Sequence, residues 1–155
     1  MFASAEVEAS PTLARLRISL GLPDGVATDL DSVVRFTIAS SETLAESAQC
    51  LLLLLSGGYS VWEDGHLYEV RALVAALGGL KIIIHTREHG PAHFHVVAPG
   101  IDASFAIDGC RLLEGELSGR ERRLIEYWHS SARSTLVKIW NSTRPSDCPV
   151  GPINQ

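Results

Sequence analysis

Four of the six histidines fall between His85 and His95, and the densest stretch reads His89-Gly90-Pro91-Ala92-His93-Phe94-His95. Imidazole titrates near neutrality and is the commonest metal ligand in proteins. If a strand begins near His93, its two-residue period puts His93 and His95 on one face and Phe94 on the other, toward the core. Gly90-Pro91 is a tight bend that folds His89 back toward the same face. Three imidazole nitrogens would then converge at roughly the 2.0–2.1 Å distances of a zinc site. The expectation is a site of His89, His93 and His95 for Zn2+ or another divalent transition metal, with an open position for catalysis. Glu88, Asp108 and Cys110 are candidates for a fourth ligand or for the partner of a second ring nitrogen. Such a metal lowers the pKa of bound water toward about 7 and polarises a carbonyl or phosphoryl oxygen, which suits hydrolysis. Without metal, the same histidines would serve as general acid and base, with Arg87 or Lys81 holding an anion. The plainer reading is of solvated turn residues, or of rings hydrogen-bonded to backbone. His85, at a strand end, reads as structural, and His66 and His129 are isolated.

A second group is Arg120, Arg122 and Arg123, at the start of a helix whose dipole their charge opposes. Placed there, they read as an anion-binding cluster for RNA or an acidic protein surface, against the commoner case of a solvated face. Glu114 and Glu116 sit on a turn, where acids are ordinarily solubilising. Trp128 and Trp140 share a helical face and read as core.

The elements that must position these groups alternate between the two periodicities. Leu13 to Leu20 and Val33 to Ile38, the latter rich in β-branched and aromatic residues, predict strands, after a frayed end at Met1 to Ser10. Ser40 or Ser41 would cap a helix from Glu42 to Leu55, whose Leu44, Ala48, Leu51, Leu52 and Leu55 form one stripe closed by Gly57-Gly58. Asp64-Gly65 predicts a two-residue hairpin turn between strands at 59–63 and 66–70, and a short helix follows over 70–77. Leu80 to His85, Phe94 to Ala98 and Ser104 to Ile107 predict an antiparallel sheet. The helix from Gly119 to about Asn141, with Ile125, Trp128, Ala132, Leu136 and Trp140 on one face, should cover it. Pro145, Pro149 and Pro152 leave an extended tail. The fold class is therefore α+β: a small antiparallel sheet under a long C-terminal helix, with an N-terminal α/β lobe over 1–79 and the sheet-plus-helix unit over 80–155, either as two parts or as one compact unit.

With 155 residues, 46% of them hydrophobic and 20% charged, the chain has the composition of a folded globular protein. Its net charge of -5 is uneven: residues 1–79 hold four Arg and ten acids, and residues 80–155 hold nine Lys or Arg and eight acids, about -6 and +1. That balance disfavours broad nucleic-acid binding while allowing a local basic face. Met1 to Ser10 lacks a secretory pattern, and Leu51 to Leu55 is too short to cross a bilayer. Cys50, Cys110 and Cys148 lack paired spacing and read as reduced thiols, so the expectation is a cytoplasmic protein without a membrane partner.

Gly79-Leu80-Lys81-Ile82, His89-x-Pro91-x-His93-Phe94-His95-Val96, Leu113-Glu114-Gly115, and Trp128, Leu136 and Trp140 together resemble a bacterial family described as domain of unknown function 4160 (DUF4160). The tail from Trp140 through Arg144-Pro145 and Cys148-Pro149-Val150-Gly151 is similar to that of a longer-tailed branch, so the resemblance spans roughly residues 79–152. Members usually carry two prolines between the first histidines, where this chain has Pro91-Ala92; the turn is looser and no candidate ligand is lost. The resemblance implies a small bacterial protein encoded beside another small protein, in gene pairs similar to toxin–antitoxin modules, and brings no catalytic residues with it. Three functions follow as expectations. The first is a histidine-centred, zinc-binding protein of a toxin–antitoxin-like or defence-related pair, with a protein partner from a neighbouring gene. The second is a phosphodiester hydrolase or ribonuclease using His89, His93 and His95, with the arginines guiding RNA. The third is a non-catalytic adaptor that recruits a protein through its acidic first half.

Overall fold

The computed structural model describes residues 2–7, 29–69, 79–85 and 91–143. Within them lie seven strands and three helices: β1 (Phe2–Val7), α1 (Leu30–Ala39), α2 (Leu44–Ser56), β2 (Tyr59–Val61), β3 (Leu67–Glu69), β4 (Leu80–His85), β5 (His93–Ala98), β6 (Ile101–Ala106), β7 (Leu112–Glu114) and α3 (Gly119–Ser142). The α+β expectation holds. A five-stranded antiparallel sheet of order β1-β4-β5-β6-β7 forms one layer, and β2 and β3 form a separate hairpin.

Each helix starts where an oxygen side chain meets its orphan amides. Asp29 accepts from the Ser32 amide and Thr43 from the Glu46 amide, while Ser118 and Glu121 close a reciprocal capping box on α3. The cap of α2 is therefore Thr43 rather than Ser40 or Ser41, because Ser40 ends α1. The apolar stripe of α3 buries Trp128, Leu136 and Trp140 without exposure, and Trp128 Nε1–H donates to the Ser47 carbonyl of α2 at 2.8 Å. Those helices, with Ile82, Ile84, Phe94, Val96 and Phe105 from the sheet, make one core.

Two elements differ from expectation. Val33 to Ile38 is helical, not extended, because the buried positions Val33, Val34, Thr37 and Ile38 recur at helical spacing and Thr37 Oγ1–H donates back to the Val33 carbonyl. Position in the tertiary structure overrides β-branched propensity here. The expected frayed end contains β1, paired with β4 from Phe2 opposite His85 to Val7 opposite Leu80, with Ala5 buried beneath α2. Pairing satisfies the backbone groups along that edge of β4. The strand expected over 13–20 and the helix expected over 70–77 lie outside the described residues. Among the described residues no helix is long and apolar enough to cross a membrane.

The hairpin turns through Glu63-Asp64-Gly65, with Trp62 N–H donating to the His66 carbonyl at 3.1 Å and Gly65 N–H to the Trp62 carbonyl at 2.9 Å. Only Gly65 takes a positive φ, 80°, so this is a three-residue loop and not the two-residue turn expected of Asp64-Gly65. The hairpin is held by Asp31 of α1. Its carboxylate, on a side chain 11% exposed, accepts from the Leu67 amide at 2.9 Å, from Tyr127 Oη–H of α3 at 2.7 Å and from Arg35 Nε–H at 2.9 Å. Arg35 also donates to the Gly65 carbonyl at 2.8 Å and lies 4.4 Å from the Tyr127 ring centroid.

Two substitutions test this packing. Gly115, at φ 97°, leads out of β7, and a Cβ there would sit 2.3 Å from the Asp102 carbonyl oxygen, so Gly115→Ala should cost at least about 2 kcal/mol in urea unfolding. Tyr127→Phe, which takes one donor from the buried Asp31 carboxylate, should cost about 1–2 kcal/mol; a loss within error would show that the hairpin is held by other contacts.

Candidate functional site

β5 sorts its side chains as a half-covered strand must. Phe94 and Val96 are fully buried; Phe94 stacks on Phe105 at 5.5 Å between centroids and meets Trp128 of α3 edge-on at 5.7 Å. His93 and His95 therefore stand on the face turned away from the helices. Their rings lie 5.0 Å apart at 67°. His93 is 9% exposed, and its Nδ1–H is given to the Pro91 carbonyl at 2.8 Å. In the neutral ring that bond fixes the tautomer, so Nε2 carries the lone pair.

The sheet register extends this face sideways. Ile83, His95, Ser104 and Glu114 face one another in a row across β4, β5, β6 and β7. Ser104 is 5% exposed and was not among the sequence candidates; its only signal was alternation in β6, which locates nothing until the pairing of β5 with β6 is known. Glu114 closes β7 instead of lying on a turn.

His89 and Glu88 lie outside the described residues. Of the other suggested fourth ligands, the Asp108 carboxylate is bound by the Arg133 guanidinium. Cys110 is buried, and burial pushes its thiol up to about 12; Cys50, likewise buried, is pushed up to about 11. Both thiols stay protonated at neutral pH and belong to the core. Among the described residues no three His, Cys, Asp or Glu side chains form a group able to hold a metal.

The arginine cluster is elsewhere. Arg120 donates from Nε to the Tyr59 carbonyl at 3.0 Å and from Nη2 to the Gly57 carbonyl at 2.7 Å. Gly57 caps the C-terminus of α2, so the charge that opposes the dipole of its own helix complements that of α2. Arg122 pairs with Glu126 at 3.0 Å along the helix. Arg123 lines a groove with Val61, Trp62, Glu63 and Asp64 of the hairpin. The arginines thus stand with the hairpin and helices, and the two imidazoles stand on the opposite face of the sheet.

His129 of α3 lies in the core, stacked over Phe94 at 6.0 Å, with Nε2–H donated to the Ile107 carbonyl. Burial holds its pKa below the ordinary 6.5, and the Ile107 carbonyl only partly offsets that. Burial also raises the Asp31 carboxyl, but the Leu67 amide, Tyr127 hydroxyl and Arg35 guanidinium together hold it below the ordinary carboxylate value. Beyond an i,i+4 pairing with Arg35 the local sequence does not mark Asp31, because its other partners come from β3 and α3.

Residues 79–141 match the family described as Domain of unknown function (DUF4160). This segment is part of the chain only, and it contains β4, β5, β6, β7 and nearly all of α3, hence the histidine face and the helix packed behind it. Comparison with curated proteins and with solved structures gave no match. The matched segment carries His93, His95, Ser104 and Glu114, whereas the hairpin and Asp31 precede it.

The shifted His129 predicts a pH dependence. A folded pKa below the unfolded one means that the unfolded chain binds the extra proton, so this contribution is complete above about 6.5 and is lost as pH falls below it, by at most about 1.4 kcal/mol per pH unit. Urea unfolding between about pH 8 and pH 5 should give His129→Gln a shallower slope than the parent chain. Equal slopes would show that His129 titrates alike in both states.

Proposed function

We propose that the sheet face bearing His93 and His95 binds a divalent transition metal, Zn2+ by preference, and is the working surface of this protein. What carries the reading is the hydrogen bond from His93 Nδ1–H to the Pro91 carbonyl, beside the His95 ring at 5.0 Å. Metal-ligating imidazoles almost always give their second ring proton to a carbonyl or carboxylate, which orients the ring and directs the other nitrogen at the ion. His89 is the third ligand in this reading. A bound ion would act as a Lewis acid on an oxygen of a substrate or partner.

Ligating imidazole must be neutral, so affinity should fall in acid. Zinc should raise the midpoint of thermal unfolding of the whole chain, and His93→Ala and His89→Ala should each weaken zinc binding by at least about tenfold in calorimetric titration. No heat of binding and no stabilisation by zinc at neutral pH would end this reading. The phosphodiester-hydrolase alternative would use the same imidazoles as acid and base without Arg120 and Arg122, which are engaged elsewhere. It requires RNA cleavage by the parent chain that is lost in His93→Ala. We also propose a protein partner from a neighbouring gene, on the support of the family resemblance alone; growth arrest on expression, relieved by coexpressing that gene, is the expected result.

A further inference from the structure

Trp62, at the hairpin turn, is 53% exposed, while Trp128 and Trp140 are fully buried. Its indole stacks on Tyr68 with 4.1 Å between centroids and 27° between planes. Tyr68 is fixed in turn, because its hydroxyl donates to Asp64 Oδ2 at 2.6 Å and Asp64 Oδ1 accepts from the His66 amide at 2.9 Å. Arg35 and Asp31 hold the strands behind this pair through the Gly65 carbonyl and the Leu67 amide. An indole with one face on Tyr68 and much of its surface in water is a rigid platform on which a flat ring loses little entropy in stacking.

The groove beside it, about 640 Å³, is lined by Val61, Trp62, Glu63, Asp64 and Arg123, a size that suits a small ligand. Its two outward charges are uncommitted among the described residues. Arg123 makes no hydrogen bond or ion pair with another described residue, although Arg120 and Arg122 on the same turn do, and Glu63 makes none either. The Arg123 guanidinium lies back over Gly119, where a side chain would come within 3.3 Å of Nη1.

We propose that this groove binds a guanine mononucleotide, with the base stacked on Trp62, its N1–H and N2–H donors on the Glu63 carboxylate and its phosphate on Arg123. Each lining group selects one part of that ligand. The indole selects any base. A carboxylate only accepts, so it needs adjacent donors: guanine offers two side by side on its Watson–Crick edge, adenine sets an acceptor beside its amino group, and uracil flanks its one donor with two carbonyls. One guanidinium matches one phosphate. A longer strand is disfavoured by Glu63, Asp64 and the charge of about -6 over residues 1–79. The site lies apart from the imidazole face and does not depend on a metal there.

The test uses the full chain labelled with nitrogen-15, reading the Trp62 indole N–H resonance, assigned through Trp62→Phe. GMP should move that resonance saturably and leave those of Trp128 and Trp140 in place. AMP, and guanosine lacking the phosphate, should each bind at least about tenfold more weakly than GMP. Glu63→Gln should bring GMP and AMP close together, and Arg123→Ala should bring GMP down to the level of guanosine. No movement at about 5 mM GMP, equal responses to GMP and AMP, or GMP affinity unchanged in both variants would overturn the proposal. So would a guanine-ended RNA hexamer binding more than about tenfold more tightly than GMP, since a strand would then be the ligand.

Discussion

The burial of Phe94 fixes which way the histidines point. Its ring has no solvent exposure and is held by Phe105 on the next strand and by Trp128 and His129 on α3. A strand offers only two faces, and a slip of one residue would send both flanking imidazoles under α3 and the phenyl ring onto the opposite face of the sheet. That exchange breaks the contacts of Phe94 with Phe105 and Trp128 and sets polar rings among apolar side chains. The imidazole pair is thus a by-product of aromatic packing on the far side of its own strand, and Val96 repeats the constraint two residues on.

Much of this was readable in one dimension because the pattern is local. The apolar run of β4, the alternation of β5 and the apolar stripe of α3 each lie within one element and reappear in the structure. The failures have the opposite character. Val33 to Ile38 has strand-forming side chains, but Asp29 supplies a cap and the core selects a helical face, and only the second fact is tertiary. β1 pairs with a strand far along the chain, so its six residues carry too little pattern to be distinguished from an end. Ser104 and Asp31 become visible only when register and packing bring their partners together.

The arginines show how charge is misread along a single helix. Arg120 opposes the dipole of α3, which made a bound anion plausible; in three dimensions its guanidinium binds the carbonyl of Gly57, the C-cap of α2, and that of Tyr59 just beyond, where positive charge stabilises. Arg122 is taken by Glu126. Only Arg123 remains for an external anion, and it sits by the hairpin, not by the histidines.

Among the described residues the hairpin shares no strand ladder with the five-stranded sheet, and it is held to α1 and α3 by polar bonds and by the burial of Tyr59 and Leu67. Its tip can accordingly drift in sequence with little cost to the layer behind α3, so the two surfaces are open to separate rounds of selection. Tyr127 and Trp128 mark where that freedom stops: adjacent residues of one helix, the first clasping the hairpin through Asp31 and the second bearing on Phe94. A change of backbone there would be felt on both sides at once, making that single turn the place where the histories of the two surfaces are tied.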